Sequence, residues 1–329
     1  MRFPRRFFAS VALTALVGFS PVAMANDVPF FKWVEDFRVE ALEKGVSPQL
    51  FDRAFDQLTP NERVIELDQN QPEGTMTFAR YKERVVNQKR IQDGRALMQK
   101  HRDKLDRVSK KYGVQPQYII ALWGIETNFG GNTGNFSIVE ALATLAYDGR
   151  RAEFFRKELL DGLRIVDGGH ISLDKFKGSW AGALGQCQFM PSSFHAFAED
   201  GDGDGKKDIW TNLDDVFASI ANYLSKSGWD GNSTWGREVR IPAGFDRASV
   251  GTTRDPGKTL AEWRRLGIRT VSGEALPGDD GKMAWLVFPG KAEEPDAYIV
   301  YDNYRTIMKW NRSTFFATSV GLVADAVAR

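Results

Sequence analysis

The sequence predicts a mainly α-helical protein of the α+β class, with one small β unit inserted late in the chain. Three observations carry that expectation. Apolar residues recur at helical spacing over most of the chain up to about Ser225, and again from Ser313 to Val327. Between them lie short β-rich runs separated by Gly, Pro and Asp clusters. Hydrophobic residues make up 42% of the 329, enough apolar mass for two packed units and too much for a disordered chain.

The chain opens on an address. Arg2, Arg5 and Arg6 precede an apolar stretch from Phe7 to Phe19, and Ala23-Met24-Ala25 then offers small residues before Asn26. Charged start, short apolar middle and A-x-A end predict a secretory signal peptide over residues 1–25. The stretch falls short of the roughly 20 residues a membrane-spanning helix needs, and no cysteine stands at the cleavage point for a lipoprotein anchor. The expectation is an exported, soluble, periplasmic protein with no membrane span.

In the mature chain, Phe30, Trp33, Val34, Phe37, Ala41 and Leu42 mark a first helix, and Ser47-Pro48 pairs an N-cap with a first-turn proline. Tyr81 to Lys111 is charged, helix-friendly and free of proline, and reads as helix throughout. Gln115-Pro116 opens a helix carrying YIIALWGIE that stops at Gly130-Gly131. Helical patterns also cover Arg151–Val166 and Asp215–Ser225. Glu238–Ile241, Met283–Phe288 and Ala297–Tyr301 read as strands, and Ser313–Val327 as a last helix docking back on the helical part.

Composition removes much familiar chemistry. With the three leader arginines gone, 41 basic face 43 acidic side chains, so bulk charge suggests no nucleic-acid partner. A single cysteine, Cys187, excludes an internal disulfide and any cysteine-cluster metal site, and three histidines, none at H-E-x-x-H spacing, make no zinc site. No organic cofactor is expected.

One carboxylate stands out. Glu126 is the only charge between Pro116 and the double glycine, in the last turn of an otherwise apolar helix. Desolvation and the negative end of the helix dipole both raise its pKa, toward the protonated acid that glycosidic cleavage requires. Most glycosidases use two carboxylates, yet none follows Glu126 before Glu140. The segment GSWAGALGQCQFMPSS, Gly178 to Ser193, supplies small residues that admit a bulky ligand, with Ser179 and Gln188 as neutral hydrogen-bonding groups.

Glu126 within GIETNFG, followed some fifty residues later by GSWAGALGQCQFMPSS, resembles the lytic murein transglycosylase B family, and the resemblance runs over most of the mature chain. It implies a goose-lysozyme-like core at residues 111–236, after an N-terminal helical region at 26–110 and before a β unit at 237–303 and a returning segment at 304–329. It also implies a lytic transglycosylase that cleaves the β-1,4 bond between N-acetylmuramic acid and N-acetylglucosamine in peptidoglycan. Glu126 would act as acid, then as base toward the muramoyl 6-hydroxyl, leaving a 1,6-anhydro end. One carboxylate suffices when the nucleophile is already tethered, because intramolecular attack has a high effective molarity. The resemblance further implies cleft roles for Ser179, Gln188, Tyr81, Tyr223 and Asn311, with Trp310 where a tyrosine is usual, and for Arg150 and Arg151 toward the peptide stem. A hydrolytic muramidase and a non-catalytic peptidoglycan-binding protein are the alternatives, and cell-wall synthesis enzymes are left open as partners.

Independently, Asp200, Asp202, Asp204 and Asp208 stand at positions 1, 3, 5 and 9 of a calcium-type loop, with Gly205 at 6 and the Lys206 carbonyl at 7. Position 12 is Thr211, so the EF-hand-like loop at 200–215 must close on Asp214 or Asp215. The expected ion is a structural Ca2+.

Overall fold

The computed structural model describes residues 28–70, 76–247, 250, 253–290 and 294–329. The expected signal peptide therefore lies outside the described residues. Among them, no helix is long and apolar enough to cross a membrane.

The helical part begins with α1 (Phe30–Glu43), which buries Trp33, Phe37 and Ala41 along one face. Ser47 caps α2 (Pro48–Phe55) by accepting from the Leu50 amide, and Asn61 caps α3 (Glu62–Gln69) in the same way. Where one helix was expected across Tyr81–Lys111, there are three: α4 (Phe78–Val85), α5 (Gln88–Lys100) and α6 (Arg102–Tyr112). The first break is at Asn87, whose extended backbone and side chain cap the Arg90 amide at 2.8 Å. Arg90 fixes the bend by donating to the carbonyls of Val85 and Gly124. Helix-friendly composition hides such a break, because tertiary partners decide it.

Helix α7 (Pro116–Thr127) starts on its proline and is buried on nearly every side. It ends on Asn128 and Phe129, both left-handed at φ 51° and 60°, before the glycine pair expected to stop it. Asparagine tolerates that conformation, and Phe129 turns back to pack edge-on to Trp123 at 5.3 Å. A short strand β1 (Phe136–Ser137) then leads into α8 (Ile138–Asp148), which the sequence reading did not anticipate. Its run IVEALATLA buries eight of its residues and so shows no amphipathic stripe. Helix α9 (Ala152–Asp167) packs against α8, and β2 (Lys177–Gly178) pairs antiparallel with β1 in the register Phe136 to Gly178. Helices α10 (Pro191–Phe197) and α11 (Leu213–Lys226) complete this part.

The β unit holds β3 (Gly236–Arg240), β4 (Lys258–Thr259), β5 (Arg269–Thr270), β6 (Met283–Val287) and β7 (Tyr298–Val300), all pairs antiparallel in the order β4-β6-β7-β3-β5. Helix α12 (Leu260–Arg265), opened by a Thr259–Glu262 capping box, covers its own small core of Val239, Leu260, Trp263, Ile268, Leu286 and Ile299. After it, α13 (Asp302–Trp310) and α14 (Thr314–Val327) return, and α14 packs on α4, α5 and α7. Fully buried Trp235 locks the two parts together: its indole donates to Asp325 at 3.0 Å and its ring lies where a side chain on Gly321 would collide. Lys82 of α4 pairs with the buried Asp296 beside β7.

Asn87→Ala separates a true break from a continuous helix. At a cap it should cost about 1 kcal/mol of stability in denaturant unfolding, whereas inside one long helix alanine would stabilise by a few tenths.

Candidate active site

A cleft of about 760 Å³ opens along the C-terminal end of α7, with walls from α4, from the segment after β2 and from the start of α14. Glu126 is the only acidic side chain lining it among the described residues. Burial in this apolar helix pushes its pKa from 4.5 up to about 7, against a smaller opposing effect of the hydrogen bond from Trp310. Trp310 Nε1 donates to Glu126 Oε1 at 2.7 Å. The indole is itself held by Tyr223 and Phe189, ring centres at 4.6 and 5.2 Å, while the Tyr223 hydroxyl donates to the Lys309 carbonyl at 2.8 Å. A donor on a wedged ring fixes where the carboxylate points.

The cleft gathers some of the expected residues and not others. Tyr81, Arg151 and Asn311 line it with Glu126. Tyr223 acts from behind, through Trp310. Ser179 and Gln188 do not line the cavity; their neighbours Trp180, Ala181 and Met190 do. The Ser179 hydroxyl accepts from the Ala183 amide at 2.9 Å, and the Gln188 amide, on a left-handed backbone at φ 50°, donates to the carbonyls of Gly185 and Thr133. Their hydrogen bonds shape the loop. Arg150 and Arg151 converge on Asp68, 2% exposed, at 2.8 and 2.6 Å, and of the two only Arg151 lines the cleft.

Sequence reasoning passed over three features. Arg84 lies one helical turn beyond Tyr81 on the same face of α4 and lines the cleft, a placement its i+3 spacing could have signalled. Asp68, far away in sequence, could not have been found. Gln186, next to the expected Gln188, bridges the GQC segment to α7: its Oε1 accepts from Trp123 Nε1 and its Nε2 donates to the Trp210 carbonyl, each at 2.8 Å. Gly130, at φ 81°, leaves room for that amide, which any side chain there would strike.

The acidic loop lies on the other side of Trp210. Carboxylate oxygens of Asp200, Asp202 and Asp204 fall within 4.8 Å of one another. Asp215, fully buried, turns into the loop and accepts from the amides of Gly201 and Asp208 at 2.7 and 2.6 Å. Asp214, the other expected closing residue, turns away to Lys104 and Arg107, because neighbouring helical residues point about 100° apart. The Asp208 carboxylate caps the amides of Trp210 and Thr211, and the Lys206 amide donates to Asp204. Burial, with the neighbouring carboxylates Asp202 and Asp200 adding to it against the two amides, pushes the Asp215 pKa up to about 6. Such crowding of negative charge suits a hard cation held by oxygen.

The profile of the transglycosylase SLT domain family matches residues 29–325. The chain belongs to that family. It is 31% identical over 264 residues, 76% of this chain and 67% of the relative, to the membrane-bound lytic murein transglycosylase B of Escherichia coli strain K12. Its fold is similar to that of SltB3 from Pseudomonas aeruginosa, solved in complex with NAG-NAM-pentapeptide, with a TM-score of 0.87 and 42% identity over 91% of this chain and 79% of that one. It is also similar to an Escherichia coli lytic transglycosylase solved in complex with calcium, with a TM-score of 0.77 and 27% identity over 90% and 92%. The expected fold class, a lysozyme-like helical core with a small β unit, and the expected enzyme class, a lytic transglycosylase, are both borne out.

The raised pKa of Glu126 makes a stability prediction. A carboxyl whose folded pKa exceeds its unfolded value stabilises the fold when protonated, and that contribution is lost as pH rises from about 4.5 to about 7. Glu126→Gln stays neutral, so it should match the parent near pH 4 and exceed it at pH 8 by up to about 3 kcal/mol in denaturant unfolding. A difference that does not change with pH would contradict the desolvated state of Glu126.

Proposed function

We propose that this chain cleaves peptidoglycan between N-acetylmuramic acid and N-acetylglucosamine by intramolecular transglycosylation, with Glu126 as the one acid–base group. The observation that carries this reading is the solitary, desolvated carboxylate of a cleft that offers no second acid among its described residues. Near neutral pH a good fraction of Glu126 holds its proton and can give it to the glycosidic oxygen, so the bond from C1 of the muramoyl sugar to that oxygen breaks. The substrate's acetamido group stabilises the cation at C1. Glu126, now ionised and steadied by Trp310, takes the proton of the muramoyl 6-hydroxyl as that oxygen bonds to C1. The acid is regenerated, and the product carries a 1,6-anhydro ring in place of a reducing end. Tyr81, Trp180 and Asn311 supply surfaces for sugar rings and their substituents, and Arg84 and Arg151 supply cations for carboxylates of a peptide stem.

The second part of the proposal is a structural Ca2+ in the loop at 200–215. Asp200, Asp202, Asp204 and Asp215 would hold it, and its charge would neutralise theirs. The loop continues into Trp210, whose carbonyl receives Gln186 and through it α7, so the ion would stiffen the scaffold behind Glu126. The leader at residues 1–25 supports export to the periplasm, where both wall and calcium are available.

Three tests follow from this reading. Mass spectrometry of fragments from purified wall should show ends lighter by one water than hydrolysis products, and Glu126→Gln should release almost none, since an amide cannot donate that proton. Fragments with reducing ends would identify a hydrolase instead. Activity should also fall as pH rises through about 7, where Glu126 loses its proton. For the loop, Ca2+ at a hundredfold excess over its Kd should stabilise the fold by about 2.7 kcal/mol relative to chelator, and Asp202→Ala should abolish the increment. Equal melting in Ca2+ and chelator would refute the site.

A further inference from the structure

A second groove, of about 1020 Å³, runs between the loop after α11, the β unit and α13. Its walls carry Lys282, Arg305, Lys309 and Arg312 against Asp230 and Asp302. Asp302 is neutralised by Arg305 at 3.0 Å, and that guanidinium also lies over the Trp285 ring. Asp230 spends an oxygen capping the Asn232 amide. The lysines are held by neutral groups: Lys282 donates to Ser233 Oγ at 3.1 Å and lies over the Tyr301 ring at 4.4 Å, and Lys309 donates to the Ser227 carbonyl at 2.6 Å. Arg312 is exposed, and no described carboxylate lies within ion-pair distance of it. The groove is therefore positive, and Lys282, Lys309 and Arg312 keep their charge, since the contacts that position the two lysines do not cancel it.

Its place in the fold matters as much as its charge. Lys309 and Arg312 flank Trp310 and Asn311 in sequence. The inner pair faces Glu126 and the cleft, while the outer pair lines the second groove. One four-residue segment thus forms the partition between the two.

We propose that this groove binds the carboxylate-bearing peptide of the wall, carried by a strand other than the one being cut, so that the protein favours peptide-bearing, cross-linked wall over bare glycan. The inference rests on the peptidoglycan reading above. Concavity, and acidic side chains set among the basic ones, suit a peptide of mixed charge better than a membrane surface, which calls for a flat cationic face with apolar side chains at its rim. Each carboxylate accepted by a lysine or arginine would add a modest, salt-sensitive increment.

The test uses full-length mature protein carrying Glu126→Gln, so that the wall is bound without being cut, in co-sedimentation with intact sacculi, with beads bearing the peptide-free glycan strands an amidase releases, and with phosphatidylglycerol vesicles. Lys282→Glu together with Arg312→Glu should weaken binding to intact sacculi about tenfold and leave binding to the peptide-free strands unchanged. The gentler pair Lys282→Gln with Arg312→Gln should give a smaller loss of the same pattern, which covers misfolding of the reversal. Unchanged binding to intact sacculi would overturn the proposal, as would an equal loss on peptide-free glycan. Loss confined to vesicles would make the groove a lipid site and overturn it too. If protein with Glu126 intact releases no fragments from any wall, the catalytic reading fails, while the binding comparison still decides the groove.

Discussion

The constraint on which the rest depends is the burial of α7. A helix apolar on nearly every face has to be wrapped, and α5, α6, α11 and α14 wrap it. Only its last turn meets the cleft, and there the single charged side chain emerges. The packing that stabilises the helix is the same packing that strips water from Glu126 and brings its pKa near neutrality. The fold accepts that electrostatic cost at one residue, the acid of the cleft.

Around that residue the supports converge from distant parts of the chain. Trp310 arrives from the end of α13, beyond the β unit, and is wedged by Tyr223 of α11. Gln186 ties α7 to the GQC segment and to the end of the acidic loop. Lys82 and Asp296 join α4, which carries Tyr81 and Arg84, to the strand region. No described residue of the β unit lines the cleft, yet the unit stands between α11 and α13 in sequence and, through Asp296 and Lys82, anchors α4, which forms a cleft wall. The unit also forms one side of the basic groove.

The loop at 200–215 shows how one turn of helix sorts two neighbouring carboxylates. Asp215 faces the loop amides and Asp214 faces Lys104 and Arg107. Counting loop residues favours Asp214 and aligning on the following helix favours Asp215; the direction of each side chain is set by how α11 presents it.

Sequence pattern alone was enough for the fold class, the family and the one carboxylate that stands out in the cleft. Those rest on local pattern: helical periodicity, a lone charge in an apolar run, and two motifs in a fixed order. It also placed most helices and all three long strands, since caps and turn residues act over a few positions. It missed the breaks at Asn87 and His101, where tertiary contact overrides propensity, the short helices α3, α12 and α13, which span only two or three turns of weak pattern, and the whole of α8, where burial on most sides blurs the stripe. The site divided the same way. Tyr81, Arg151 and Asn311 line the cleft, whereas Ser179 and Gln188 hydrogen-bond within the loop; Arg84 was within reach of helical spacing, and Asp68 and Gln186 emerged only from three dimensions. Which side chains share a cavity depends on how elements a hundred residues apart pack together, and no local pattern records that.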